Sequence, residues 1–193
     1  MTARTHDLGA ITALGLATLV FPLQSITLST ALIALLANQL GGIAPDIDQP
    51  TAPFWHNLPT GSFFGRIIDK MLGGHRFISH SLLGVALFAF LSNLLLHFLQ
   101  PIMPHVDISL VWYAFLIGLA SHLVMDSFTK EGVPWLLPFP IKLGLPPVKK
   151  FRITTGKVVE KFLVFPGILA IDVWLCISHY SLLVLFIQRH LIS

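Results

Sequence analysis

The run SHSLLGVALFAFLSNLLLHFLQ, residues 79–100, decides the fold. It holds no Asp, Glu, Lys or Arg. A hydrocarbon layer of about 30 Å needs about 20 such residues in a helix, so this run reads as a membrane span. Directly before it stand Gly74-His75-Arg76-Phe77-Ile78, so two histidines, an arginine and two serines crowd the mouth of the helix. Ionisable groups at that depth are costly unless something uses them.

The rest of the composition agrees with a membrane setting. The chain has 193 residues, of which 54% are hydrophobic and only 11% charged. Its mean hydropathy is +0.80. A soluble domain carries about 25% charged residues, so this chain has too little charge to cover a soluble globule. The length suits one domain, residues 1–193, made of a few helices. Cys176 is the sole cysteine, which excludes an intrachain disulfide. The formal net charge of +3 fits loops beside anionic lipid, and nucleic acid is not an expected partner.

Working outward from the central run, Pro101 and Pro104 end it, and Ile108 to Met125 forms the next span. Thr129 to Lys161 is a long connection rich in proline, glycine and basic residues, and Phe162 to Ile187 is a last span interrupted by Asp172 and His179. On the N-terminal side, Leu8 to Phe21 and Ser25 to Leu40 read as two short apolar helices in a hairpin, stopped by Pro22. A cleavable signal peptide is the alternative for the first, but no small-x-small site follows it and Asp7 is foreign to such a leader. Gly41 to Pro50 is a loop around Asp46-Ile-Asp48, and Thr51 to Gly74 continues it with a short interfacial helix around Phe63 to Leu72. The expected fold is an all-α transmembrane bundle of about five apolar helices with irregular loops.

Lys and Arg set the orientation. The loops before residue 79 and after residue 128 hold nearly all of them, while the turns near Pro22 and Pro101 hold none. The N-terminus and both long loops are therefore expected in the cytoplasm. On that assignment His6, Asp7, Asp46, Asp48, His75, His80, His122, Asp126 and Glu160 all fall at the cytoplasmic ends of spans. The histidines were not used to choose those ends, so the coincidence argues for one shared site.

The chemistry follows from residue type. His122 and Asp126 are one helical turn apart and lie on one face. Taken alone they also suit a solvated helix end. Asp46 and Asp48 offer hard oxygen ligands, although Asp is also an ordinary turn residue. His75 and His80 converge if one lies in the loop and the other in the first helical turn, with Ser79 as the helix cap. Arg76 serves either as an anion binder or as a topological anchor. Glu160 is a candidate ligand or general base, and Lys150 a second candidate for holding an anion. This many imidazoles and carboxylates exceed the needs of one tetrahedral zinc and fit one or two divalent ions, with zinc expected first and manganese or iron as alternatives. Asp172 and His179 are seven apart and could meet on one face of the last span, away from the cluster.

Three segments together resemble a family: GGIAPDIDQP at 41–50, HRFISHSLL at 75–83 and SHLVMDSFTKEGVPWLLPF at 121–139. With His6 and Thr155-Gly156-Lys157-Val158-Val159-Glu160, they are similar to the YdjM-like family of metal-dependent hydrolases of the bacterial inner membrane. Lys130-Glu131 departs from the proline expected after Thr129. The resemblance implies a multi-pass protein of that membrane and a metal site built from His6, Asp46, Asp48, His75, His80, His122 and Asp126.

The expected function is hydrolysis of an ester or phosphoester at the cytoplasmic face, with Arg76 and Glu160 in catalytic roles. Membrane lipid surrounds the protein, and the substrate is a small molecule or a lipid-linked one. The rival expectation is a non-enzymatic protein, either a cation transporter or a carrier of a structural metal.

Overall fold

Helix caps and turn residues divide the chain where the composition changes. The computed structural model describes residues 1–21, 26–74, 76–139 and 141–189. Helix α1 runs Ala3–Val20 and α2 Leu28–Ile43, the latter capped by Thr27, whose hydroxyl accepts from Thr30 N at 3.2 Å. A 3-10 turn, Ala44–Asp48, extends α2. Two shorter helices follow, α3 at Pro53–His56 and α4 at Gly61–Met71. Helix α5 spans Leu82–Leu99 and α6 spans Ile108–Ser127. A π-helical turn at Glu160–Val164 leads into α7, Phe165–Ser178, and α8 closes the order at Tyr180–Ile187. Among the described residues there are isolated bridges but no strand, so the protein is an all-α helical bundle.

Four helices are long and apolar enough to cross a membrane: Leu28–Asp48, Leu82–Ile102, Ile108–Ser127 and Glu160–Ser178. The expected five are thus four among the described residues. Helix α1 falls short because its first turns carry Arg4, Thr5, His6 and Asp7. It sits among α2, α6 and α7, where Thr5 and His6 are buried, Asp7 is half-buried and Arg4 stays exposed. The last span also ends earlier than expected, at Ser178, where the chain bends at His179 before α8. Asp172 and His179 line one cavity of about 380 Å³ beside α1. Asp172 accepts from Thr12 of α1 at 2.6 Å, and His179 turns back to the Leu175 carbonyl at 3.2 Å.

Helix α6 is the hub, packed on α1, α2 and α5. Its closest approach is to α2. A Cβ on Gly118 would come within 2.0 Å of the Asn38 carbonyl oxygen, and one on Gly41 within 2.0 Å of the Phe115 oxygen. Small residues permit this backbone contact, the usual way helices associate in lipid. Toward the other end α1, α2 and α6 part around an apolar cavity of about 770 Å³ lined by Leu14, Ala34 and Ile117. The glycine contact lies between that cavity and the His/Asp end of the bundle.

Burial is inverted relative to a soluble protein. Among the described residues the buried apolar cluster is Leu119, Leu123 and Val133. Leu94, Phe98, Trp174 and Ile177 are exposed on the outer surface. Buried positions are instead mostly polar, and they gather at one end of the bundle. Residues 128–156 pack over that end. Ile153 N donates to Phe128 O at 2.9 Å, Leu145 N to Ser127 O at 2.7 Å, and Leu82 N to Trp135 O at 3.1 Å.

Candidate metal centre

Four segments deliver the buried polar cluster. His6 comes from the first turns of α1, Asp46 from the 3-10 turn after α2, His80 from just ahead of α5, and His122 with Asp126 from the last turns of α6. His6, His80, His122 and Asp126 are all buried, whereas the Asp46 side chain is 23% exposed. His122 Nε2 lies 3.6 Å from Asp46 Oδ1 and 3.8 Å from Asp126 Oδ2. His80 Nε2 lies 3.7 Å from Asp46 Oδ1 and 3.6 Å from Asp126 Oδ2. His6 Nε2 is 3.2 Å from Asp126 Oδ1, and its ring stacks on His122 at 3.7 Å. Ligand atoms about 2.0–2.2 Å from an ion stand about 3.3–3.6 Å apart at tetrahedral angles, so these spacings suit a shared ion.

Among the described residues two groups could hold a metal ion, His6 with His122 and Asp126, and Asp46 with His80 and His122. They share His122. Its Nδ1 lies 2.6 Å from the Gly42 carbonyl, which fixes that nitrogen as the donor and leaves Nε2 to face the cage. Among the described residues Nε2 of His122 has no hydrogen-bond partner, though it is fully buried. One free nitrogen serves one ion, so the two groups describe a single cage of three imidazoles and two carboxylates. That mixed donor set fits a divalent cation and does not select among zinc, manganese and iron.

His80 is oriented from behind in the same way. Its Nδ1 is 2.9 Å from Ser79 Oγ, and that hydroxyl donates to Asp48 Oδ2. This corrects two expectations. Ser79 does not cap α5; Ser81 does, accepting from Gly84 N at 3.1 Å. Asp48 does not face the cage; it lies 3.7 Å from His80 Nδ1, the side away from Asp46 and Asp126. Burial opposes charge on His80, but Asp126, Asp48 and Asp46 outweigh it and hold its pKa above the ordinary imidazole value.

Glu160 is the third correction. It is buried, but Oε1 accepts from Thr2 N at 2.6 Å, Thr2 Oγ1 at 2.8 Å and Thr5 Oγ1 at 2.7 Å, while Oε2 accepts from Gly156 N at 2.7 Å. A carboxylate so engaged is neither a ligand nor a free base. It ties the start of α1, and hence His6, to the last span. Thr2 and Thr5 precede His6 in the sequence, but nothing in their spacing points to Glu160.

Arg76 lies inside the cluster. Its Nη2 is 2.6 Å from Asp126 Oδ2, its Nη1 is 3.3 Å from Thr129 Oγ1, and its backbone N donates to Asp48 Oδ2 at 3.0 Å. The α-amine of Met1 also reaches Asp126 and, at 2.9 Å, His6 Nε2. His75, expected as a ligand, lies outside the described residues. Lys150 is exposed in a turn at Lys149–Phe151, with no hydrogen bond or ion pair to the cage among the described residues.

The profile of the family described as YdjM inner membrane protein matches residues 1–192. An uncharacterized protein of Bacillus subtilis (strain 168), YvsG, is 26% identical over 168 residues, covering 87% of this chain and 89% of the relative. No solved structure matches.

Proposed function

Because this chain belongs to the YdjM inner membrane protein family, we propose that it is a membrane-embedded, metal-dependent hydrolase of an ester or phosphoester. The observation that carries the reading is the cage itself. Two of its imidazoles are held from behind by Gly42 O and Ser79, so that their Nε2 atoms point at carboxylates. His6, Asp46, His80, His122 and Asp126 would hold the ion. When bound, a divalent metal supplies Lewis acidity and makes water a nucleophile near neutral pH.

The chain's own groups do the remaining work. Asp46 is the cage member open to the outside, so water and substrate enter past it. The Arg76 guanidinium borders Asp126 and is suited to hold an anionic oxygen. Residues 128–139 and 141–156 are bonded to the cage end of α5 and α6 through Leu82, Ser127 and Phe128. A lipid-linked substrate suits the location, supported by an apolar groove of about 260 Å³ between α2 and α5, lined by Leu40, Ile47, Phe88 and Leu95, that runs from the Asp46 turn into the span. The excess of Lys and Arg in the loops at this end supports a cytoplasmic face.

The test pairs metal content with turnover. His122→Ala and Asp126→Ala should each lose bound metal and cleavage of model phosphoesters together. Full metal in both variants would defeat the site assignment. A second reading, cation passage, draws on Asp172 and His179 beside the cavity in the membrane interior. Metal flux into vesicles without hydrolysis would favour it.

A further inference from the structure

We propose that Glu131 is a built-in stand-in for the substrate's anion, occupying an oxyanion position on Arg76 that a phosphate-class group takes over by displacing it. The proposal rests on the reading of the cage as a phosphoester site and names how that site receives its charge.

Arg76 is 7% exposed, a setting in which a guanidinium needs charge partners. Among the described residues it has two, and they differ. Asp126 is fully buried and holds Nη2 at 2.6 Å. Glu131 is 62% exposed and stands 3.4 Å from Nη1, longer than the 2.7–2.9 Å of a charge-assisted hydrogen bond. An exposed, loosely made ion pair contributes little and is exchanged easily, whereas the buried one is not. An oxyanion arriving from outside therefore replaces Glu131 and leaves Asp126 in place. Arg76 also keeps a donor in reserve, since its buried Nε has no hydrogen-bond partner among the described residues. A phosphate oxygen and a carboxylate oxygen present the same acceptor to a guanidinium, so the exchange conserves the charge balance around the buried cation.

The backbone supports a side-chain swing and not a loop movement. Lys130 N donates to Ile153 O at 2.9 Å and Gly132 N to Thr129 O at 3.2 Å, so the residues on both sides of Glu131 are anchored. Arg76 itself is held at φ +59, a left-handed conformation unfavourable for a side chain of this size. Such a conformation persists when the surroundings fix it, here the Asp48 bond to Arg76 N and the buried ion pair with Asp126. The guanidinium is thus presented at a set position, and the movable member is Glu131.

The experiment measures binding of inorganic phosphate by calorimetry to the metal-loaded, full-length protein, which needs no turnover. Glu131→Gln should bind phosphate about fivefold more tightly than the wild type, the effect of removing a competitor held by about 1 kcal/mol. Asp69→Asn, which removes a carboxylate from α4, should stay within twofold. Adding Arg76→Lys to Glu131→Gln should erase the gain, because an ammonium lacks the fork. Unchanged or weaker phosphate binding in Glu131→Gln, no binding by either protein, or an equal gain in Asp69→Asn overturns the proposal. A gain without cleavage of any phosphoester supports the displacement and refutes the hydrolase reading. Cleavage without a gain does the reverse.

Discussion

Gly118→Ala should disable the cage from a position that supplies no ligand to it. The new Cβ would sit 2.0 Å from the Asn38 carbonyl oxygen and 2.9 Å from Gly42 N. Both are backbone atoms of α2 and cannot turn aside. Side-chain carbons essentially never approach closer than 3.0 Å, so α2 must retreat by about 1 Å. The Gly42 carbonyl retreats with it, and its 2.6 Å contact with His122 Nδ1 opens past hydrogen-bonding distance. Asp46 follows, whereas metal–ligand lengths tolerate only about 0.2 Å. The expected loss of metal affinity is tenfold or more, the scale seen when ligand supports are removed. Overpacking costs about 1–3 kcal/mol and the lost hydrogen bond about 1 kcal/mol, so stability should fall by about 2–4 kcal/mol. Metal per protein by mass spectrometry and a thermal melt in detergent read both quantities. Gly167→Ala is the control, because a Cβ there meets nothing within 4 Å. Wild-type metal affinity in Gly118→Ala would refute the idea that the α2–α6 contact sets the cage.

Ser79→Ala should lower metal affinity by about 10–100-fold with little change in helicity, because His80 loses the hydroxyl that orients it; an unchanged affinity would make that hydroxyl incidental. Glu160→Gln should cost about 1.5–3 kcal/mol of stability and weaken metal binding with it, since charge-assisted bonds to Thr2, Thr5 and Gly156 weaken and His6 is held less firmly; lost turnover at unchanged stability and metal content would return Glu160 to a chemical role. Acidification should release metal starting above the ordinary imidazole pKa, because His80 takes up a proton early and a protonated ring cannot ligate. The sign for the metal-free fold is opposite: a raised His80 pKa adds stability in acid that fades as pH rises through it. Chelator competition and apo-protein melts across pH test the two halves, and a metal affinity flat down to pH 5 would contradict the first.

How much of this was legible depended on what constrains each residue. Residues 79–100 are readable because lipid excludes charge from the outward face of α5, and composition alone records that. Helix α1 reads as a span by its apolar stretch, but Thr5 and His6 of its first turns are buried where α2, α6 and α7 pack beside them, a tertiary fact. The convergence of His6, Asp46, His80, His122 and Asp126 was visible because Lys and Arg chose the same ends of the helices independently. Asp48 and Glu160 had equal credentials in the sequence. Their roles were decided by which side of His80 a tight turn presents, and by where Thr2 and Thr5 fall beside the last span. Neither is encoded in a spacing. Arg76 was open between anchor and anion binder, and its burial against Asp126 is a contact that no spacing in the sequence announces.

The tie between Thr2, Thr5 and Glu160 has a consequence for biosynthesis. A chain inserted from its N-terminus brings His6 to the bilayer before any other ligand exists. His122 and Asp126 follow only after α5 has crossed, and Glu160 emerges only after residues 128–156 have been laid over the cage. Every ligand is therefore made before the clamp that seats the first of them. Seating of His6 becomes a late event of maturation, coupled to insertion of the last span, and a ribosome stalled before residue 160 leaves a chain that has every described cage residue yet lacks the tie that fixes His6.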